Sequence, residues 1–195
     1  MNRTDIKRIA PYAFAGAAVL SAVTWLWQKT RVGLPEGAVP VTNFKIQRYI
    51  GNWYEIARFD YRFEKGLENV TAYYSQNEDG SVKVLNRGKD IATEEWKEST
   101  GKAKFLGTED IARLKVSFFG PFYAAYNIIA LDENYKYAMV AGNDLDYLWI
   151  LSRNPEIPEN IKTEYLKKAS AIGYNVSRLI WTKQDTAQAK IAPVA

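Results

Sequence analysis

Eight short segments rich in β-branched and aromatic residues follow one another between positions 51 and 152, and no helical pattern interrupts them. Turn-forming residues separate the segments, as in the stretch Asn77-Glu78-Asp79-Gly80. Closely and evenly spaced strands without intervening helices predict an all-β domain, either an antiparallel up-and-down barrel or a sandwich. The predicted strands span residues 51–59, 69–76, 81–87, 96–104 (bent or bulged at Gly101), 112–117, 123–131, 135–141 and 147–152.

One helix and a ninth short strand are predicted after the eighth strand. Apolar residues recur at helical spacing from Ile161 to Ile172, with Pro158 suited to the first turn and Gly173 suited to end the helix. The apolar stripe favours packing against the outside of the β-structure. Residues 177–182 follow as a short strand, and residues 184–195 are predicted to form a disordered tail.

The first 31 residues are typical of a membrane-targeting segment. Residues 9–28 carry no charge, and as a helix they would span roughly 30 Å, about the thickness of the hydrocarbon core of a bilayer. Lys7 and Arg8 precede them, which predicts a cytoplasmic amino terminus and export of the rest. Trp25 lies where a cleavage site would need small residues, so an uncleaved signal anchor is favoured over a cleaved signal peptide.

The composition excludes several classes of chemistry. The chain has no Cys and no His, which removes disulfides, thiol nucleophiles, lipid attachment through cysteine, Ser-His triads and most metal or haem ligation. We therefore predict no cofactor, no metal site and no catalytic residue. The net charge of +4 comes from the first 31 residues, and the other 21 basic and 21 acidic residues cancel. Their interspersed charges indicate no nucleic-acid surface.

Several short motifs occur in a characteristic order along the chain. They are Gly51-x-Trp53 within Trp-Tyr-Glu-Ile-Ala-Arg-Phe-Asp, a turn at Asp132-Glu133-Asn134-Tyr135, Arg153 at the end of Leu-Trp-Ile-Leu-Ser-Arg, and the stretches at 60–66 and 118–122. Together these motifs resemble those of the lipocalin family, which the turn matches in part. The similarity is strongest to bacterial outer-membrane lipoprotein lipocalins, which are related to apolipoprotein D. It covers a barrel domain at residues 43–183, joined to the amino-terminal segment by an extended linker at 32–42.

The resemblance implies an eight-stranded up-and-down barrel that is closed at one end. Gly51, Trp53, Asp132 and Arg153 should meet at that closed end. Arg153 is expected to lay its guanidinium over the face of Trp53. These four residues are therefore assigned a structural role.

The resemblance also implies an apolar cavity that opens at the opposite end and binds a fatty acid or a lysophospholipid. Strand alternation from Trp53 and Arg153 predicts which side chains face inward, and the same is assumed for alternate residues of the sixth strand. Glu55 is the exception among apolar neighbours, since a carboxylate in a pocket needs a partner or a raised pKa. The predicted ligand-binding residues are Glu55, Ala57, Phe59, Phe63, Tyr123, Tyr147 and Trp149, with Ala125, Asn127 and Leu151 also facing inward.

The chain departs from the lipoprotein relatives because it has no cysteine for lipid attachment. A transmembrane anchor would replace the lipid and hold the barrel in the cell envelope, facing the periplasm. The expectation leaves open whether the barrel is a monomer or a homodimer. We expect a lipid-binding or lipid-transporting protein and not an enzyme. Two alternatives are open: an enzyme that uses Glu55, or an envelope stress protein that acts through a protein partner at the barrel opening.

Overall fold

A computed structural model describes residues 32–61 and 64–185. The predicted amino-terminal hydrophobic helix and the predicted ligand contact Phe63 lie outside these described residues. Within residues 32–61 and 64–185, no helix is long and apolar enough to cross a membrane.

Nine strands, two α-helices and one 3-10 helix (Val176–Arg178) make up the described part of the chain. A short helix α1 (Ile46–Tyr49) precedes the first strand, and a longer helix α2 (Glu159–Ile172) follows the eighth. The strands are β1 (Gly51–Phe59), β2 (Leu67–Gln76), β3 (Val82–Asp90), β4 (Trp96–Phe105), β5 (Arg113–Phe119), β6 (Phe122–Leu131), β7 (Tyr137–Ala141), β8 (Leu148–Ser152) and β9 (Leu179–Trp181).

The strands form one antiparallel sheet that closes into a barrel. Each strand from β1 to β7 pairs with the next along the chain, and β8 pairs back onto β1. The predicted eight-stranded up-and-down barrel is therefore confirmed. On the edge of β1 away from β8, the first half of β1 pairs with β2 and the second half pairs with β9. The closed end of the barrel carries α1 and the β2–β3, β4–β5 and β6–β7 turns; the mouth is the opposite end, with the other loops.

Helix α2 packs on the outside of the barrel, as its apolar stripe predicts. Pro158 precedes its first residue, and Gly173 ends it in a left-handed conformation with φ of 108°. Tyr165 and Ala169 are its buried residues, and the Tyr165 hydroxyl donates a hydrogen bond to the carbonyl of Tyr137 at 2.9 Å.

Buried apolar side chains form two separate clusters, one inside the barrel and one between the barrel and α2. The inner cluster includes Trp53, Tyr74 and Val84. The outer cluster includes Tyr165 and Ile150. Which cluster a strand residue joins therefore reports which way its side chain faces.

A β-bulge in β1 overturns part of the predicted cavity lining. Glu55 pairs with Leu151, and Ala57 pairs with Ile150, the neighbour of Leu151 in β8. Two residues of β1 therefore correspond to one step along β8, and the register shifts at Ile56. An extra residue of this kind reverses the faces of all that follow. The prediction that Ala57 and Phe59 face inward is wrong: both lie in the outer cluster.

The predicted alternation of β6 is also wrong by one residue. Tyr126 packs against the inner cluster and Ile128 belongs to it, so Tyr123, Ala125 and Asn127 face outward. The Tyr123 ring lies beneath the ammonium of Lys115, 4.7 Å from the ring centre, on the outer surface.

Two local features differ from the sequence-based picture. Residues 32–42 pack along the barrel, where the amide of Val41 donates to the carbonyl of Ile128 at 2.9 Å. Gly101 pairs regularly with Val84 and forms no bulge on that side. It is required for a close approach, since an added Cβ would lie 2.8 Å from the ring of Phe118.

Candidate functional site

The closed end is held by one arginine stacked on one tryptophan. The guanidinium carbon of Arg153 lies 4.0 Å from the centre of the Trp53 ring, which is fully buried. The same guanidinium donates to the carbonyls of Asn52 at 2.6 Å and Tyr49 at 2.9 Å, among others in this segment. The contact expected between Arg153 and Trp53 is therefore present, and it ties the end of β8 to α1 and the start of β1.

Gly51 and Asp132 have local roles at the same end. Gly51 takes a φ of 95°, and an added Cβ would lie 3.4 Å from the Arg153 guanidinium. The Asp132 carboxylate accepts hydrogen bonds from the backbone amides of Asn134, Lys136 and Tyr137, which fixes the β6–β7 turn.

Three tyrosine hydroxyls meet in the barrel above the closed end. The hydroxyl of Tyr126 bonds to those of Tyr49 at 2.7 Å and Tyr74 at 2.8 Å. Burial raises the pKa of all three phenols, so they stay protonated at neutral pH. A void of about 10 Å³ lies beside them and is lined also by Val84 and Leu114. It has room for about one water molecule.

A buried ion pair lies in the half of the barrel nearer the mouth. Arg58 donates to the Glu55 carboxylate, and both residues are at most 3% exposed. The bulge at Ile56 makes this pair possible, because it turns Arg58 to the same face as Glu55. Arg58 also donates to the carbonyls of Glu64 at 2.6 Å and Leu67 at 3.2 Å, in and beside the β1–β2 loop.

A second carboxyl group shares this environment. The side chain of Glu64 accepts a hydrogen bond from the indole N–H of Trp149 at 3.0 Å. Burial, and then the neighbouring charge of Glu55, raise the pKa of Glu64 to about 7. Burial also raises the pKa of Glu55, while Arg58 opposes that effect. Two carboxyl groups beside one guanidinium give the interior a group that titrates near neutral pH.

The segment after β9 completes the cluster. The Thr182 hydroxyl donates to the Glu55 carboxylate and accepts from Arg58 at 3.1 Å. The side-chain amide of Gln184 donates to the carbonyls of Glu55 at 2.7 Å and Val70 at 2.9 Å. This segment therefore fills the gap where β1 and β2 part, and the chain stays anchored to the barrel as far as Asp185.

The structure brings together only some of the predicted ligand-binding residues. Glu55, Tyr147 and Trp149 lie at the inner side near the mouth, where the rings of Tyr147 and Trp149 stack at 6.3 Å. Ala57, Phe59 and Tyr123 face away from the interior, as described above.

The sequence analysis did not predict several residues that lie in the interior. Arg58, Glu64, Thr182 and the three tyrosines contribute the polar groups of the interior. A signal for Arg58 was available: a carboxylate inside a barrel needs a cation, and Arg58 is the basic residue nearest to Glu55 in sequence. Within the described residues, no group of three acidic side chains is placed to hold a metal ion.

Apolar side chains are exposed around the mouth. Phe119 is 67% exposed at the end of β5, Ile91 is 60% exposed after β3, and Leu145 is 39% exposed before β8. Tyr61 packs edge-on against Tyr147, with ring centres 5.2 Å apart.

Comparison with known proteins agrees with the motifs. A family model described as a lipocalin-like domain matches residues 44–184. The outer membrane lipoprotein Blc of Escherichia coli strain K12 is 54% identical over 150 residues, which are 77% of this chain and 85% of that protein. Apolipoprotein D of Rattus norvegicus is 38% identical over 134 residues, 64% of this chain and 68% of that protein. The resemblance inferred from the motifs is confirmed.

The architecture also matches solved structures at low sequence identity. Insecticyanin from the tobacco hornworm Manduca sexta has a TM-score of 0.65 and 17% identity, with coverage of 81% of this chain and 90% of that chain. At this identity the likeness supports the fold alone.

Proposed function

The chain belongs to the lipocalin family, and on that basis we propose that its barrel binds one elongated apolar molecule, a fatty acid or a lysophospholipid, in the cell envelope. Members of this family are generally binding proteins and not enzymes, and the absence of Cys and His in this chain supports the same role here.

The observation that carries this proposal is the contrast between the two ends of an apolar interior. The inner wall is built from aliphatic and aromatic side chains such as Val84, Leu114 and Tyr126. Arg153 and Trp53 seal one end, so a ligand would enter from the mouth. An eight-stranded barrel has enough room for side chains or for one small ligand. An acyl chain matches such a wall in polarity.

The envelope location is proposed from the relatives and from the amino-terminal segment together. Relatives at 53–54% identity are named outer membrane lipoproteins. Because the chain has no cysteine, we propose that the apolar residues 9–28 anchor it in the membrane in place of a lipid, with the barrel facing the periplasm.

A pair of adjacent substitutions tests the ligand proposal. Val84 faces the interior and is 3% exposed, whereas Leu85, the next residue, faces outward. We expect Val84→Phe to fill the interior and weaken saturable binding of a fluorescent fatty acid or lysophospholipid at least tenfold. Leu85→Phe adds a similar ring outside and should bind like the parent chain.

The assay uses the full, delipidated chain, and circular dichroism verifies that both variants remain folded. A parent chain that takes up neither lipid saturably would overturn the proposal. Equal weakening by both substitutions would place the ligand elsewhere than the interior.

A further inference from the structure

Lysine residues that are scattered along the sequence come together on the outer face of β3, β4 and β5. Lys83 of β3 lies directly opposite Lys102 of β4, and Lys104 of β4 lies directly opposite Lys115 of β5. Like charges at directly opposed positions of an antiparallel pair destabilise a sheet. The barrel therefore carries two unfavourable cross-strand pairs side by side, which calls for an explanation other than stability.

Acidic side chains compensate this surface only in part. Lys102 pairs with Asp79 at 2.6 Å, with both groups about half exposed. Nearer the mouth, Arg87 pairs with Glu98 and Lys97 pairs with Asp90. Among residues 32–61 and 64–185, Lys83, Lys104 and Lys115 form no salt bridge. The two directly opposed lysine pairs thus lie in the part of these strands nearer the closed end.

A groove opens at the edge of this lysine cluster. Strands β4 and β5 pair over four residues only, from Lys102 to Phe105 of β4, whereas β3 and β4 pair over eight. Where β4 and β5 part, an open groove of about 410 Å³ is lined by Asn77, Lys83, Thr100, Lys102, Ser117 and Tyr123. The ring of Phe118, packed over Gly101, lies at the same place.

One hydroxyl group in this groove has no partner. The Oγ atom of Ser117 is buried and makes no hydrogen bond within the structure. Leaving a buried hydroxyl unpaired is unfavourable, because the group has lost its hydrogen bond to water and gained none in exchange. Ser117 lies directly opposite Lys102, so the unpaired donor and the ammonium groups share one location.

We propose that this groove binds a phosphate-like oxyanion. Lys83 and Lys102 supply charge, and the hydroxyls of Thr100 and Ser117 supply neutral donors. Charge-assisted hydrogen bonds from ammonium groups are strong, and lysine binds phosphate as a compact point charge. A bound anion would also relieve the repulsion between Lys83 and Lys102. The site lies outside the barrel and is independent of the proposed apolar ligand.

Isothermal titration of inorganic phosphate into the full chain tests this proposal, with sodium chloride adjusted to hold the ionic strength constant. We expect saturable binding that Lys83→Gln weakens at least tenfold and Ser117→Ala at least threefold. Lys89→Gln is the matched control, because it removes the same charge from the same face of β3 outside the groove, and it should bind like the parent chain.

Thermal unfolding keeps the test valid if a variant folds poorly. Lys83→Gln removes a like-charge pair, so its unfolding temperature in chloride should equal or exceed that of the parent. Phosphate should raise the unfolding temperature of the parent by about 2 °C or more and that of Lys83→Gln by less. No response to phosphate, or the same response in all variants, would overturn the proposal.

A second probe identifies the source of the anion. Glycerophosphoglycerol carries the phosphodiester of an anionic lipid headgroup without its acyl chains. Binding of this diester supports an oxyanion site for lipid headgroups. Binding of inorganic phosphate alone supports a site for free phosphate or a monoester. Binding of neither overturns the site.

Discussion

Each end of the barrel is organised by an arginine, but the two arginines work in different surroundings. Arg153 at the closed end is partly exposed, lies on Trp53 and donates to backbone carbonyls. Arg58, nearer the mouth, is 2% exposed and has the Glu55 carboxylate as its counter-charge. The first arginine therefore needs no anion, and the second does.

This difference indicates which end of the barrel can respond to a change in pH. Among residues 32–61 and 64–185, Arg153 forms no salt bridge with a carboxyl group, and its contacts are to an aromatic ring and to backbone carbonyls, which do not titrate near neutral pH. The cluster near the mouth combines Arg58 with Glu55 and Glu64, and one of those carboxyl groups titrates near pH 7. The closed end is thus a fixed structural element, whereas the region near the mouth is electrostatically adjustable.

The largest expected effect comes from removing the buried arginine alone. Arg58→Leu leaves Glu55 buried without its cation, and breaking one partner of a buried ion pair costs about 3–5 kcal/mol. Urea unfolding at pH 7 should show this loss in the free energy of unfolding. The double variant Glu55→Leu/Arg58→Leu should recover most of it, because no charge is left unpaired. A loss below about 1 kcal/mol in the single variant would contradict the pairing.

A smaller loss is expected at the closed end. Arg153→Met removes the contact with Trp53 and the bonds to the carbonyls, but water can reach part of the site. We expect the free energy of unfolding to fall by about 2 kcal/mol. Arg153→Lys keeps the charge without the planar fork of donors, so it should lie between the parent and Arg153→Met. A lysine variant as stable as the parent would show that charge alone closes this end.

The sequence was sufficient for the features that depend on short-range pattern. Alternating strands, the stripe of α2 and the positions of Trp53 and Arg153 all follow from spacing and residue type. The contact between Trp53 and Arg153 could be inferred because up-and-down topology brings the start of β1 beside the end of β8.

The features that sequence reasoning missed depend on register. The bulge at Ile56 has no glycine to mark it, yet it turns Ala57 and Phe59 outward and Arg58 inward. The bulge was expected at Gly101, where the absence of a side chain serves the ring of Phe118 instead. One shifted residue is enough to exchange the lining of a barrel for its outer surface.

The lysine cluster was missed for a related reason. Charges on β3, β4 and β5 alternate with apolar residues along the chain and are balanced overall, so the sequence indicated no basic surface. Pairing of Lys83 with Lys102 and of Lys104 with Lys115 depends on the exact register of three strands. Long-range pairing of this kind is not encoded in local pattern.

Replacing the titrating carboxyl group sharpens the comparison between the two ends. The pKa of Glu64 is raised to about 7 in the folded state. Its contribution to stability is therefore fully present below its unfolded pKa and is lost as pH rises through about 7. Glu64→Gln removes this loss, so the variant should be more stable than the parent by about 3 kcal/mol at pH 8 and similar at pH 4.5.

The measurement is urea unfolding across this pH range, with Glu94→Gln as an exposed control in the β3–β4 turn. The control should follow the parent at every pH. A Glu64→Gln variant that also parallels the parent would show that the carboxyl group titrates normally and that the cluster near the mouth is not adjustable.

The smallest effect concerns the carboxyl-terminal segment that borders the cluster near the mouth. Gln184→Ala removes two hydrogen bonds to the carbonyls of Glu55 and Val70, so urea unfolding should show a loss of about 1 kcal/mol. Gln184→Glu should cost more, because a carboxylate would face two carbonyl oxygens instead of donating to them. Equal losses for the two variants would mean that the amide does not bridge β1 and β2. In that case the segment after β9 would support the ion pair of Glu55 and Arg58 through the hydroxyl of Thr182 and not through Gln184.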